Sequence, residues 1–185
     1  MALTESTMLE LGTIAPDFAL TDVVTGKTVH RDDFRGQKAL LVLFICAHCP
    51  FVKHIEKSLG KLGADYSGKP LGIVAISAND ASTHPADSPA GLKQQAKENG
   101  FVFPYLYDES QTVAHAYKAA CTPDIFLFDA DFKLVYRGQY DESRPSNGIP
   151  VTGKDLRAAI DTVLAGKAVP ADQRPSQGCN IKWKE

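Results

Sequence analysis

Apolar and polar positions divide the chain into alternating short strands and helices. Residues 39–45 form a near-continuous apolar run, as expected of a central strand that is covered on both faces, and residues 71–77 form another. Between them, apolar residues recur at three- or four-residue spacing: Phe51, Ile55, Leu59 and Leu62. This spacing predicts a helix from Cys46 to about Tyr66.

The rest of the chain continues this alternation. Hairpins are predicted at 17–30 and at 125–137, helices at 92–99 and 110–119, a strand at 105–107, and a last helix from 152 to Gly166. Residues 79–91 and 141–150 are rich in Asp, Ser and Pro and predict loops. We expect one domain over residues 1–185, with residues 167–185 packed back on its body. The predicted class is α/β, with three layers around a mixed sheet.

Composition and charge exclude some classes of function and add less to the prediction of the fold. The chain has 185 residues, 44% of them hydrophobic and 23% charged, as in an ordinary globular protein. A net charge of −2 without a long basic run argues against a nucleic-acid partner, and no apolar run is long enough to predict a membrane span. The first seven residues lack the pattern of a secretory signal, so we expect a cytoplasmic protein. In that reducing compartment, four cysteines are more often reactive or metal-binding than structural cross-links.

The most specific chemical signal is Cys46-Ala47-His48-Cys49, directly after the first apolar run. Cysteines at positions i and i+3 share one face of a helix and can form a reversible disulfide. At the start of a helix, free N–H groups and the helix dipole would stabilise a Cys46 thiolate. We therefore predict that Cys46 attacks the substrate and that Cys49 resolves the mixed disulfide.

His48 is predicted to tune this pair. If protonated, or oriented with an N–H toward Cys46, it would stabilise the thiolate and make the couple more oxidising. We predict a reduction potential between about −270 and −120 mV, the range of known dithiol proteins, and a lower potential after His48→Pro. The other histidines show no carboxylate or ligand spacing and are interpreted as structural or solvated: His30, His54, His84 and His115. Residues 80–88 and 141–147 are interpreted as surface turns rather than substrate-facing loops.

Several segments carry a resemblance to a known family. Residues 12–18, the strand before Cys46, and Thr122-Pro123 followed by residues 126–129 resemble the redoxin branch of the thioredoxin superfamily, which includes the alkyl hydroperoxide reductase and thiol-specific antioxidant proteins. Residues 46–54, 121–124, 140–145 and 175–183 resemble, more narrowly, bacterial peroxiredoxin-like thioredoxin-family proteins. The resemblance covers essentially the whole chain. It implies a thioredoxin-like three-layer α/β/α sandwich with an N-terminal β-hairpin extension, and thiol–disulfide oxidoreductase or antioxidant activity.

In a thioredoxin-type fold, the position of Pro123 between a helix and the terminal hairpin is that of a cis proline. We therefore predict a cis Thr122–Pro123 bond that faces the cysteine pair and leaves the Thr122 backbone free to pair with an extended substrate. Thr122 and Pro123 are the candidate substrate-binding residues. Cys121 has two interpretations, as a buried apolar residue or as an additional redox thiol that pairs with Cys179.

Two departures from the family pattern bear on function. Peroxiredoxins carry Thr or Ser three residues before the reactive cysteine and Pro seven before it, where this chain has Leu43 and Ala39. The hydroxyl that would hold a peroxide is therefore missing. Residues 39–45 also lack the buried acid of thioredoxin, so His48 or water would have to accept the Cys49 proton.

The first functional hypothesis is thus a thiol–disulfide oxidoreductase with a reversible Cys46–Cys49 disulfide. Its partners would be protein or small-molecule disulfides and thiols and an electron donor, and we expect no cofactor. The alternative is a thiol peroxidase in which Cys46 becomes a sulfenic acid. A less favoured alternative is a metal-binding module completed by Cys121 and Cys179, since Cys-x-x-Cys also occurs in zinc sites.

Overall fold

A computed structural model describes residues 3–185. It contains four α-helices: α1 (Pro50–Asp65), α2 (Pro89–Glu98), α3 (Thr112–Ala116) and α4 (Lys154–Leu164). The strands are β1 (Leu3–Glu5), β2 (Ala19–Asp22), β3 (Thr28–His30), β4 (Ala39–Phe44), β5 (Leu71–Ser77), β6 (Tyr105–Tyr107), β7 (Cys121–Thr122), β8 (Asp124–Asp129), β9 (Leu134–Tyr136) and β10 (Gln177–Asn180). Short 3-10 turns lie at Arg31–Phe34 and Pro85–Asp87. None of the described helices combines the length and apolar character needed to cross a membrane.

The main sheet is mixed and has seven strands in the order β3-β2-β6-β5-β4-β8-β9. Strand β4 lies parallel to β5 and antiparallel to β8, and β5 lies parallel to β6. The β2–β3 hairpin joins the far edge through β6. A second, three-stranded sheet has the order β1-β10-β7. The predicted α/β fold, with three layers around a mixed sheet and an added N-terminal hairpin, is confirmed.

Alternation of side chains along β4 explains why every residue of this strand is apolar. Leu41 and Leu43 face a core shared with α1, α2 and α4, whereas Leu40 and Val42 face a second core that contains α3. Because helices cover both faces, no position of the strand meets water. The central strand is thereby fixed, and the segment that follows it is held at the carboxyl end of the sheet.

A buried ion pair supports the chain beside β7. Arg137 Nη2 lies 3.0 Å from Asp124 Oδ2, and both side chains are fully buried. The Arg137 guanidinium also lies 4.3 Å from the centre of the Phe126 ring, and Asp124 accepts the backbone N–H of Ala120 at 2.9 Å. These contacts hold the residues just before Thr122 in place.

The C-terminal segment is part of the sheet structure. Residues 177–180 form β10, which lies between β1 and β7 and pairs antiparallel with both. The sequence predicted that this tail packs on the body but did not predict a strand. Its register places Cys179 opposite Thr122 and Asn180 opposite Cys121.

Candidate functional site

The candidate site lies where β4 gives way to α1. The predicted helix start at Cys46 is wrong: α1 begins at Pro50, and Cys49, with extended backbone angles, is its N-cap. The reason is a contact with a distant loop: the backbone N–H groups of Ala47 and His48 both bond to the carboxylate of Asp87 at 2.7 and 3.1 Å. Proline suits the first helical position since it has no N–H to donate. Cys46 therefore precedes the helix, and a carboxylate takes up the two N–H groups that follow it.

Thr122 contacts both cysteines of the pair. Its Oγ1 lies 3.5 Å from Cys46 Sγ, and its backbone oxygen lies 3.4 Å from Cys49 Sγ. The Thr122–Pro123 peptide bond is cis, as predicted. The structure thus brings Cys46, Cys49 and Thr122 together. The Thr122 backbone, predicted to be free for a substrate strand, is instead paired with β10 of the same chain.

The disulfide in the structure joins Cys49 to Cys179, with 6.3 Å between their Cα atoms. It differs from the predicted Cys46–Cys49 bond, and Cys46 is a free, buried thiol. The physical reason is the register of β10, which places Cys179 directly opposite Thr122 and beside Cys49.

Cys121 is not part of the disulfide in the structure. Of the two interpretations of Cys121, the one that pairs it with Cys179 is not what the structure shows, because Cys121 lies opposite Asn180 and neighbouring strand residues point to opposite faces. Its Sγ lies 3.5 Å from the backbone oxygen of Pro123, and burial raises the pKa of the thiol well above its ordinary value. Cys121 is therefore the buried apolar residue of the two interpretations, and the four-cysteine metal site is not assembled.

Asp87 is the central acid of the site, and no pattern in the sequence indicates this role. It lies in the loop interpreted as a surface turn, yet it is fully buried. Its Oδ1 accepts from the backbone of Ala47 and His48, and its Oδ2 contacts Nδ1 of His48 and accepts from Asn79 Nδ2 at 2.9 Å. Burial alone would raise the pKa of Asp87, but the hydrogen bonds from His48 and Asn79 hold it below the ordinary value. Asp87 is therefore a buried carboxylate anion.

His48 lies between this anion and Cys46. Its hydrogen bond to Asp87, followed by its interaction with Cys46, raises its pKa to about 9 against the opposing effect of burial. At neutral pH the ring is thus an imidazolium cation. Cys46 Sγ, a ring nitrogen of His48 and a carboxylate oxygen of Asp87 all lie within 4.8 Å of one another. The arrangement places a positive charge beside the Cys46 sulfur.

His84 also belongs to the site, although its isolated position in the sequence indicated a structural or solvated residue. Its ring lies 4.6 Å from that of His48, centre to centre. Partial burial, and then the charge of His48, lower the pKa of His84. Of these two neighbouring rings, His48 therefore carries the charge and His84 is neutral at pH 7. The other histidines lie elsewhere: His54 contacts Ser143, and His115 stacks on Trp183.

Gln95 holds the backbone at Cys46. This buried residue of α2 donates from Nε2 to the backbone oxygen of Cys46 at 2.9 Å and to Glu56 at 3.0 Å. Its own Oε1 accepts the hydroxyl of Tyr105 at 2.8 Å. A buried chain of polar groups stabilises the fold only when its groups have hydrogen-bond partners, and these groups have them. This hydrogen-bond chain fixes the position of the backbone carbonyl of Cys46, the candidate nucleophile.

The cluster of Cys46, His48 and Asp87 contains residue types that bind metals. Three ligands are fewer than the four of a structural zinc site. The two carboxylate oxygens of Asp87 are already engaged by four donor groups. The chemistry that the cluster favours is therefore that of a cysteine activated by a charged histidine.

Comparisons with known proteins agree with this chemistry. Residues 11–137 match the AhpC/TSA family. A protein of Bacillus thuringiensis named thiol-disulfide oxidoreductase ResA is 26% identical over 132 residues, which are 71% of this chain and 71% of that protein. The predicted class, a thiol–disulfide oxidoreductase of thioredoxin-like fold, is confirmed at this level.

Two solved structures are much more similar over the full length. An uncharacterized conserved protein from Geobacillus kaustophilus has a TM-score of 0.97 and 55% identity, covering 100% of this chain and 97% of its own. A hypothetical protein from Sinorhizobium meliloti has a TM-score of 0.96 and 50% identity, covering 98% of both chains. The whole architecture, including the C-terminal segment, therefore recurs in these two proteins.

Proposed function

The chain belongs to the AhpC/TSA family, and from this premise we propose that it reduces or exchanges disulfides with Cys46 as the nucleophile. The observation that carries the proposal is the charged His48 beside the Cys46 sulfur. The buried carboxylate of Asp87 contacts the same ring. A thiolate is the species that attacks a disulfide, and a neighbouring imidazolium favours it at neutral pH.

The reaction takes two steps when Cys49 is a thiol. The Cys46 thiolate attacks one sulfur of a substrate disulfide, forming a mixed disulfide and releasing the other sulfur as a thiolate. His48, whose ring nitrogen lies within 4.8 Å of Cys46 Sγ, would give its proton to that leaving group. Deprotonated Cys49 then attacks Cys46 Sγ, which forms the Cys46–Cys49 disulfide and releases the second substrate thiolate. The substrate gains two electrons, and the two protein thiols lose them.

Thr122 would orient both sulfurs for these steps, since it contacts each of them. Cys46 itself is fully buried. A substrate disulfide can therefore reach it only after a neighbouring group moves. The side chain of His48 is 15% exposed and lies at the edge of the cluster, which makes that edge the proposed point of entry.

The proposed substrates are disulfides of proteins or small molecules, regenerated by a thiol electron donor. The cytoplasmic location expected from the sequence is part of this proposal, and fractionation of cells would check it. Thiol-peroxidase chemistry is less favoured, because position 43, where a peroxiredoxin has its hydroxyl, holds a buried leucine in the core.

The test is insulin-disulfide reduction with dithiothreitol as donor, alongside peroxide consumption. Cys46→Ser should abolish the reduction, and Cys49→Ser should accumulate mixed disulfides on Cys46. Cys121→Ser is the matched control, since it removes a buried thiol that the reaction does not use. Full activity of Cys46→Ser, or peroxide consumption much faster than disulfide reduction, would refute the proposed function.

A further inference from the structure

We propose that Cys179 is a third redox-active cysteine, and that Cys49 exchanges its disulfide partner between Cys46 and Cys179. The inference rests on the proposed function and extends it, because it assigns a catalytic role to a residue in the C-terminal strand. One candidate partner of Cys49 is Cys46, three residues before it in the chain. Its partner in the structure is Cys179, on β10. A single sulfur with two neighbouring thiols can pass a disulfide from one to the other.

The geometry supports this exchange because all three cysteines meet at Thr122. Cys46 Sγ lies 3.5 Å from its side-chain oxygen, Cys49 Sγ lies 3.4 Å from its backbone oxygen, and Cys179 is its partner in the β-ladder. The three sulfur-bearing residues thus surround one threonine.

The strand that carries Cys179 occupies the place predicted for a substrate chain. It pairs antiparallel with β7 at the residue before the cis proline, which is how an extended peptide would dock. Ser176 adds a hydrogen bond to the backbone oxygen of Pro123 at 2.6 Å. Gly178 lies so close that a Cβ there would come 1.9 Å from the backbone oxygen of Thr122. The chain therefore presents its own cysteine to Cys49 as a tethered substrate would.

The exchange step balances without an added oxidant. The Cys46 thiolate attacks Cys49 Sγ, the Cys46–Cys49 bond forms, the Cys49–Cys179 bond breaks, and Cys179 leaves as a thiolate. In the reverse direction, Cys179 takes the disulfide from Cys46 and restores the Cys46 thiolate. After a substrate has been reduced, this reverse step would move the disulfide from Cys46–Cys49 to Cys49–Cys179, whose two residues are both buried.

Peptide mapping of the full-length wild-type protein tests the proposal. The protein is equilibrated in glutathione buffers from reducing to oxidising, quenched with acid, alkylated and digested with trypsin. Cys46 and Cys49 fall on peptide 39–53, and Cys179 falls on peptide 168–182, where Pro175 prevents cleavage after Arg174. The expected result is a joined pair of these peptides that increases with the oxidised fraction of glutathione and disappears in reducing buffer. A constant amount of joined peptide, or none in any buffer, would overturn the proposal.

The order of events gives a second readout. When the reduced protein is mixed with oxidised glutathione and quenched at intervals, the disulfide within peptide 39–53 should appear first and the joined peptides second. In Cys46→Ser the joined peptides should form about tenfold more slowly, because the attacking thiolate is missing. Equal rates in Cys46→Ser and the wild type would overturn the relay.

The variant Cys179→Ser should slow insulin reduction several-fold, whereas Cys121→Ser should not. Mapping of the wild type needs no variant, so a folding defect of Cys179→Ser leaves that result intact. Failure of this inference is distinguishable from failure of the proposed function. If the joined peptides are constant but Cys46→Ser is inactive, only the relay fails; if Cys46→Ser is active, the proposed function fails.

Discussion

Asp87 holds His48 at two points, through the backbone N–H at 3.1 Å and through Nδ1 of the ring. The two contacts use different carboxylate oxygens, so the ring and the backbone of His48 are fixed together. Because the carboxylate is buried, its charge acts on the imidazolium with little screening by water. The reactivity of Cys46 should therefore depend on a residue that lies 41 positions further along the chain.

The first prediction is that Asp87→Asn slows alkylation of Cys46 in the reduced protein. Without the carboxylate, the pKa of His48 should fall toward its ordinary value, so the ring is neutral at pH 8. We expect the rate with iodoacetamide at pH 8 to fall about tenfold, equivalent to about 1.4 kcal/mol. The rate is measured by mass spectrometry of peptide 39–53, with fragmentation to separate Cys46 from Cys49.

The matched control is Asp80→Asn, which neutralises another carboxylate of the same loop. Asp80 bonds to Ser82 rather than to His48, so the alkylation rate should stay close to that of the wild type. Equal rates for Asp87→Asn and the wild type across pH 6 to 9 would show that Asp87 only supports the fold.

The second prediction concerns stability and pH. The pKa of His48 is about 9 in the folded protein against an ordinary value of 6.5, so the folded state holds this proton more tightly. The contribution to stability is fully present below pH 6.5 and is lost as the pH rises through about 9. We expect His48→Gln to destabilise the reduced protein by about 1–2 kcal/mol more at pH 6 than at pH 9.5, a discounted value because part of the ring meets solvent.

Urea unfolding of both proteins at several pH values measures this difference. In an Asp87→Asn background, His48→Gln should produce a much smaller pH-dependent difference, since the largest cause of the raised pKa is gone. A difference that grows with pH would contradict the assigned charge of His48.

The sequence predicted the structural elements that depend on a local pattern. It did not predict the features that depend on a contact between distant segments. The apolar run of β4, the helical spacing of α1 and the proline after Thr122 each carry a signal within a few residues. Asp87 carries none, and no pattern near Cys179 indicates that Cys49 is its partner. A loop aspartate becomes a buried acid only because Ala47 and His48 present N–H groups to it across the fold. The disulfide partner of Cys49 lies 130 residues further along the chain and depends on the register of β10 against β7, which cannot be inferred from either segment alone.

The third prediction is that Asp124→Asn strongly destabilises the protein. This change leaves the buried Arg137 guanidinium without a compensating charge and weakens the support of the Ala120 backbone. Removing one partner of a buried ion pair costs about 3–5 kcal/mol, and we expect a loss in that range by urea unfolding. As a control, Glu142→Gln breaks the exposed pair with Arg174 and should cost less than about 1 kcal/mol. Similar losses for the two variants would argue against a structural role of the buried pair.

The fourth prediction is that Gly178→Ala disrupts the contact between β10 and β7. The added Cβ would lie 1.9 Å from the backbone oxygen of Thr122, so the strand must move away from it. We expect a loss of about 2 kcal/mol in the free energy of unfolding, as for other overpacked sites. Because Cys179 is the next residue, the joined peptides 39–53 and 168–182 should also become less abundant in oxidising buffer. The matched control is Gln177→Ala on the same strand, whose side chain bonds to exposed Glu5. It should cost less than about 1 kcal/mol and leave the joined peptides unchanged, whereas equal effects of both variants would mean that close packing at Thr122 does not position Cys179.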